Sequence, residues 1–302
     1  MSPRTYRRIT LVALVALAFI VVTGGAVRLT GSGLGCPHWP NCDSSLVRVG
    51  PNDIHKSIES VNRTITGIVS VAVIAAVLGS LIRRPRRRDL VWLSIGLVGG
   101  VIGQIVLGGL VVLFDLYPPL VMGHFVLSML LLADATVLHH RAGREDDAVL
   151  PAAPPDVRGM GLLLVAGAAV VILLGTVVTA SGPHPGSNGA QIVERLPFSL
   201  HRVAQLHGTA VMLFLAMAVF AAWSLARGGA PPAVVRRAEA LLVVLVAQAA
   251  VGYAQYFSGV PVLLVAFHIA GATAVWIATL RLQLALSTMA PVRAVERALV
   301  AA

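Results

Sequence analysis

Charge is scarce in this chain. Asp, Glu, Lys and Arg make up 12% of its 302 residues, where a soluble domain carries about 25%. So few charges cannot clothe a water-soluble body of this size, and soluble enzyme folds are excluded. Lysine is all but missing, with Lys56 the single example among 23 basic residues. Cysteine is limited to Cys36 and Cys42 in one polar stretch. That rules out a disulfide framework and allows at most one bridge; with His38 they would offer zinc only three donors, poorly spaced. Acidic residues number 13, leaving a formal net charge of +10. Such a balance can mark a nucleic-acid binder. Here the arginines fall in short runs between apolar stretches, the pattern of topology signals, so nucleic acid is excluded as a partner.

What is present is apolar. Hydrophobic residues reach 57% and mean hydropathy is +0.85. Eight stretches, near 9–29, 58–82, 90–113, 118–138, 159–180, 203–226, 240–257 and 261–285, are long enough for a hydrocarbon core that needs about 20 helical residues. The first follows Arg4, Arg7 and Arg8 like a signal peptide, yet runs on through Gly24-Gly25-Ala26-Val27-Arg28 without a small-residue cleavage site, so it reads as a span. With the N-terminus in the cytoplasm, 17 basic residues fall inside and 6 outside. This bias predicts an all-α integral membrane protein of eight transmembrane helices with both termini cytoplasmic. The expected location is a cell membrane, spanned many times, with the lipid bilayer as solvent and the long loops, about 30–57 and 181–202, on the extracytoplasmic side. No span carries the charged rings of a solute channel.

The spans repeat. Gln104-Ile105-Val106-Leu107-Gly108 precedes His124 by 20 residues, and Gln248-Ala249-Ala250-Val251-Gly252 precedes His268 by the same interval. Asn62-Arg63-Thr64 opens the second span as His207-Gly208-Thr209 opens the sixth; Asn62 to His124 is 62 residues and His207 to His268 is 61. The chain therefore reads as two tandem pseudo-symmetric four-helix bundles. The N-terminal half is 1–144, a Pro-rich cytoplasmic linker is 145–158, and the C-terminal half is 159–302.

Nine histidines are the main chemical resource. His139 and His140 end the fourth span as interfacial side chains, and His38, His55, His184 and His201 lie in or beside the outside loops. His124, His207 and His268 instead sit inside even-numbered spans at similar depth. One intramembrane histidine can simply bond a neighbouring helix; three at equivalent repeat positions point to ligation of a metal cofactor. Histidines on facing helices can clamp a macrocycle with imidazole on both sides of an iron. His207 and His268 make such a pair, whereas the first half offers His124 alone, because Asn62 stands where His207 does. Glu59 lies three residues before Asn62 on the same helical face. Its counterpart in the second half is Ala204, so the carboxylate marks the half lacking the second histidine and is the candidate acid/base. Asp134, ten residues beyond His124, is too far along the helix (about 15 Å) to share that site. The cysteine pair reads as a structural staple, with a redox-active pair as the alternative.

The stretch from Gly24 to Cys42, with Gly31-Ser32-Gly33-Leu34-Gly35-Cys36-Pro37 at its centre, resembles the first-loop signature of the heme A synthase family. Glu59-Ser60-Val61-Asn62-Arg63 resembles that family's Glu-x-x-His-Arg motif, and Thr179-Ala180-Ser181-Gly182-Pro183-His184-Pro185-Gly186 its fifth-helix signature. The resemblance covers nearly the whole chain. It implies an oxidoreductase that converts heme O to heme A, turning a porphyrin methyl into a formyl group for cytochrome oxidase biogenesis. It implies a heme b cofactor on His207 and His268, a substrate heme facing His124 and more weakly Asn62, and Glu59 as the catalytic carboxylate. Heme O synthase and cytochrome oxidase assembly factors follow as partners. Two features depart from the family pattern: Asn62 replaces a histidine, and the literal His-Arg pair of the second half is His201-Arg202. His201 to His268 is 67 residues and breaks the repeat, so His207 ranks first and His201 is the rival. A diheme b-type electron-transfer protein between quinone and an outside acceptor, and a heme-handling protein without redox turnover, are the competing readings.

Overall fold

The computed structural model describes residues 1–36, 39, 54–144, 154–189 and 192–289. Every regular element among them is a helix: α1 (Pro3–Leu29), α2 (Ile54–Ile82), α3 (Arg88–Leu113), α4 (Pro118–Ala142), α5 (Pro155–Ser181), α6 (Leu200–Arg227), α7 (Pro232–Phe257) and α8 (Val262–Leu286). All eight are long and apolar enough to cross a membrane. Helices suit that setting because each satisfies its own backbone hydrogen bonds. They outrun the apolar stretches where arginine and glutamate continue the helix: α7 begins at Pro232 and passes through Arg236, Arg237 and Glu239, residues of good helix propensity. Likewise Pro155–Arg158, expected in the linker, forms the first turn of α5.

Start and stop signals are local. Proline opens α1, α4, α5 and α7, where its missing N–H is no loss. Four helices close with the same left-handed cap. In α1 it is Gly31 (φ 69°) with Ser32 N–H to Val27 O, in α3 Asp115 (φ 48°) with Leu116 N–H to Val111 O, in α6 Gly229 (φ 69°) with Ala230 N–H to Leu225 O, and in α7 Gly259 (φ 81°) with Val260 N–H to Gln255 O.

The helices close two rings. α1 touches α2 and α4, and α3 bridges α2 and α4; α5 touches α6 and α8, and α7 bridges α6 and α8. The rings meet where α8 packs on α1 and α4 and where α4 meets α5. Trp276 of α8, 5% exposed, donates its indole N–H to Met129 O of α4 at 2.8 Å. Glycines let the backbones approach: a Cβ on Gly25 of α1 would lie 2.7 Å from Ile269 of α8, and one on Gly100 of α3 would lie 2.4 Å from Leu131 of α4. Large apolar side chains such as Phe19, Val71, Trp92, Leu130, Phe220 and Val243 point outward, the arrangement a lipid solvent asks for.

Candidate functional site

His207 on α6 and His268 on α8 face each other across the second ring, with centroids 6.3 Å apart and planes at 74°. Two imidazoles sharing one metal, each bonded at about 2 Å with its centroid about 1 Å further back, put their centroids about 6 Å apart. The spacing fits one iron between the rings. Among the described residues no group of three or more His, Cys, Asp or Glu side chains converges as a metal site. The pair therefore suits a metal that brings its own equatorial ligands, as a porphyrin does. His201 does not join them; its Nδ1 lies 2.6 Å from the Tyr256 hydroxyl on an exposed face.

Each candidate ligand rides on a glycine of the preceding helix. A Cβ on Gly108, Gly175 or Gly252 would come within 3.2, 3.2 and 3.0 Å of Cε1 of His124, His207 and His268 respectively. Glutamines brace two of them. Gln104 Nε2 donates to His124 O at 3.0 Å and to Ser128 Oγ at 2.8 Å. Gln248 Nε2 donates to His268 O at 2.8 Å and sits 2.9 Å from His268 Nδ1, leaving Nε2 for a metal. Such outer contacts orient a ligating ring. The Nδ1 atom of His124 is buried without a hydrogen-bond partner; a histidine kept only to join two helices would have one.

In the first ring, Glu59 is 6% exposed and held by both oxygens. Oε1 accepts from Arg63 Nη2 at 2.6 Å and Nε at 3.1 Å, and Oε2 accepts the Cys36 N–H at 2.7 Å. The carboxylate thus ties α2 to the first loop, and Arg63, one turn on, supplies its countercharge. Asn62 turns to α1, where its Oδ1 accepts from Thr23 Oγ1 at 2.9 Å. Asp134 lies against Gly96 of α3, its Oδ2 2.8 Å from where a Cβ would be. His139 Nδ1 is 3.1 Å from Thr10 Oγ1, His55 Nδ1 is 3.0 Å from Ser32 Oγ, and His184 Nε2 is 2.8 Å from Val260 O; all three fasten helix ends and loops. Cys36 is buried, while Cys42 and His38 lie outside the described residues.

The chain matches the family described as cytochrome oxidase assembly protein (COX15-CtaA) over residues 7–280. It belongs to that family. Among the relatives of this COX15-CtaA member, a protein of Listeria welshimeri called heme A synthase is 31% identical over 130 residues, 43% of each chain. Another so named, from Exiguobacterium sibiricum, is 31% identical over 143 residues, 45% of this chain and 47% of the relative. The aligned part thus spans less than half of either relative's length. With eight helices able to span the bilayer, the family member is a multi-pass membrane protein.

Several parts of the candidate site escape a reading by residue type. Arg63 as partner of Glu59 was signalled by the four-residue interval, and the glutamine braces by the Gln-x-x-x-Gly interval. The glycine under His207 had no such mark, because glycine is common in spanning helices.

Proposed function

We propose that the chain oxidises heme O to heme A, converting a porphyrin methyl stepwise to a formyl group for cytochrome oxidase assembly. The observation that carries the reading is the pairing of His207 with His268 at 6.3 Å in one ring, set against His124 without a paired histidine and the buried carboxylate of Glu59 in the other. The two rings are a tandem pseudo-symmetric duplication, 1–144 and 159–302 joined by 145–158, with both termini in the cytoplasm and the long loops outside. His207 and His268 would hold a heme b in the second half, and that heme would supply one-electron transfer. The substrate heme O docks in the first half with His124 toward its iron and Asn62 on the other side. Heme O synthase and oxidase assembly factors are the partners that supply substrate and take product.

Glu59 is the proton-handling group. Arg63 and the Cys36 amide hold it as an oriented carboxylate beside the methyl to be oxidised, and they stabilise its charge where few water molecules reach. The first loop lies over it through Cys36, and we assign Cys36 and Cys42 as a disulfide staple of that loop. The asymmetry between rings favours an enzyme over a symmetrical diheme carrier, which has no use for a carboxylate in one ring only.

Expression of wild type and Glu59→Gln with heme O synthase, followed by extraction and mass analysis of porphyrins, tests this. Wild type accumulates formyl product. Glu59→Gln makes none while keeping the low-spin absorbance of the second-half heme. Normal product from the variant overturns the assignment of Glu59, and absence of heme from wild type overturns the function.

A further inference from the structure

The first ring keeps the seat for a fourth histidine but not the histidine. α1 and α5 end in a shared pattern, Gly24-Gly25-Ala26-Val27-Arg28-Leu29-Thr30-Gly31 against Gly175-Thr176-Val177-Val178-Thr179-Ala180-Ser181-Gly182, which matches Gly24 to Gly175. Gly175 lies under the His207 ring, whereas a Cβ on Gly24 would meet nothing within 4 Å. The open space is where an imidazole at position 62 would lie if it repeated His207. Asn62 does not fill it. Its oxygen accepts from Thr23 at 2.9 Å, which leaves the amide nitrogen with two protons to donate. Beside Asn62, between α1 and α2, is an open pocket of about 250 Å³ formed by Thr23, Val27, Ile58, Val61, Asn62 and Ile65 among others. Its almost wholly apolar wall gives a small uncharged molecule an approach to Asn62.

We propose that the first-half heme has His124 as its sole protein ligand, and that the iron face toward Asn62 is a binding site for a small uncharged exogenous ligand. Ligands in this class are carbon monoxide, dioxygen, or a neutral nitrogen heterocycle the size of the missing imidazole. This rests on the heme-binding reading above and goes further by assigning the open coordination position. It also makes Gly24 the unused counterpart of Gly175.

Protein purified in detergent with its co-purifying heme, quantified per chain, tests this by carbon monoxide titration of the reduced form and by the spin state of the oxidised form. Wild type is expected to show two populations: a low-spin heme indifferent to carbon monoxide, and a high-spin heme that binds it. In Asn62→His the imidazole takes the Gly24 seat, competing as a tethered ligand at effective concentrations of about millimolar or above. The high-spin signal then gives way to low-spin, and carbon monoxide affinity falls about ten-fold or more. Adding Gly24→Leu to Asn62→His blocks the seat and restores carbon monoxide binding. The second-half low-spin signal reports folding in each variant. Wild-type heme that is wholly low-spin and indifferent to carbon monoxide overturns the proposal while leaving the heme reading intact. So does an Asn62→His protein that keeps its low-spin second-half signal yet binds carbon monoxide as wild type does. A protein that binds no heme even when it is supplied overturns both.

Discussion

At the scale of single residues, the candidate ligands are defined as much by what they lean on as by what they are. An imidazole that must reach the centre of a ring passes over the preceding helix, and only glycine lets it pass at 3.0–3.2 Å. Gly252→Ala is therefore expected to displace the His268 ring and lower heme content several-fold, read as heme per chain in purified protein, while helix content is unchanged by circular dichroism. The bonds of Glu59 carry a similar lesson. Removing one partner of a fully buried ion pair costs about 3–5 kcal/mol, and with Arg63 29% exposed the loss here is smaller. Arg63→Ala is accordingly expected to lower thermal stability and abolish product together, whereas Glu59→Gln, which keeps one acceptor oxygen but turns its NH2 toward Arg63 or the Cys36 N–H, is expected to abolish product with a smaller loss of stability. Residue type and repeat spacing single out His124, His207, His268 and Glu59 as candidates. Neither could disclose that the Cys36 amide reaches Glu59, because that contact joins a loop to a helix 23 residues away.

At the scale of elements, the eight helices were legible from hydropathy and their ends were not. α7 starts eight residues before the apolar stretch at 240, because hydropathy measures lipid preference and not where backbone hydrogen bonds stop. The left-handed caps are likewise hidden when the residue is not glycine. Asp115 takes φ 48° at the end of α3, where α1, α6 and α7 place Gly31, Gly229 and Gly259. A side chain in that conformation costs about 1 kcal/mol relative to glycine. Asp115→Gly is thus expected to raise the midpoint of thermal unfolding in detergent by a few degrees, without altering heme content; a lowered midpoint would assign Asp115 a contact of its own.

At the scale of the whole molecule, the arginine bias and the duplication give an expected topology. Reporter fusions that are active only in the cytoplasm should work after residue 144 and at both ends, and fail within 182–189 between α5 and α6. The joint between the rings is the part least visible from sequence, since nothing in the order of residues pairs Trp276 with Met129. Trp276→Ala removes a buried ring and its bond to the other half, a change that costs about 3–5 kcal/mol in a packed core. It is expected to lower thermal stability more than any outward-facing substitution such as Trp92→Ala, 68% exposed in wild type. That joint has a further consequence. α8 carries His268 and α4 carries His124, and the two helices are in direct contact and bolted by the Trp276 indole. With hemes held as proposed by His124 and His268, the gap between their irons would be set by this contact between α4 and α8. Electron exchange between them should keep its rate when the surface loops are clipped by protease.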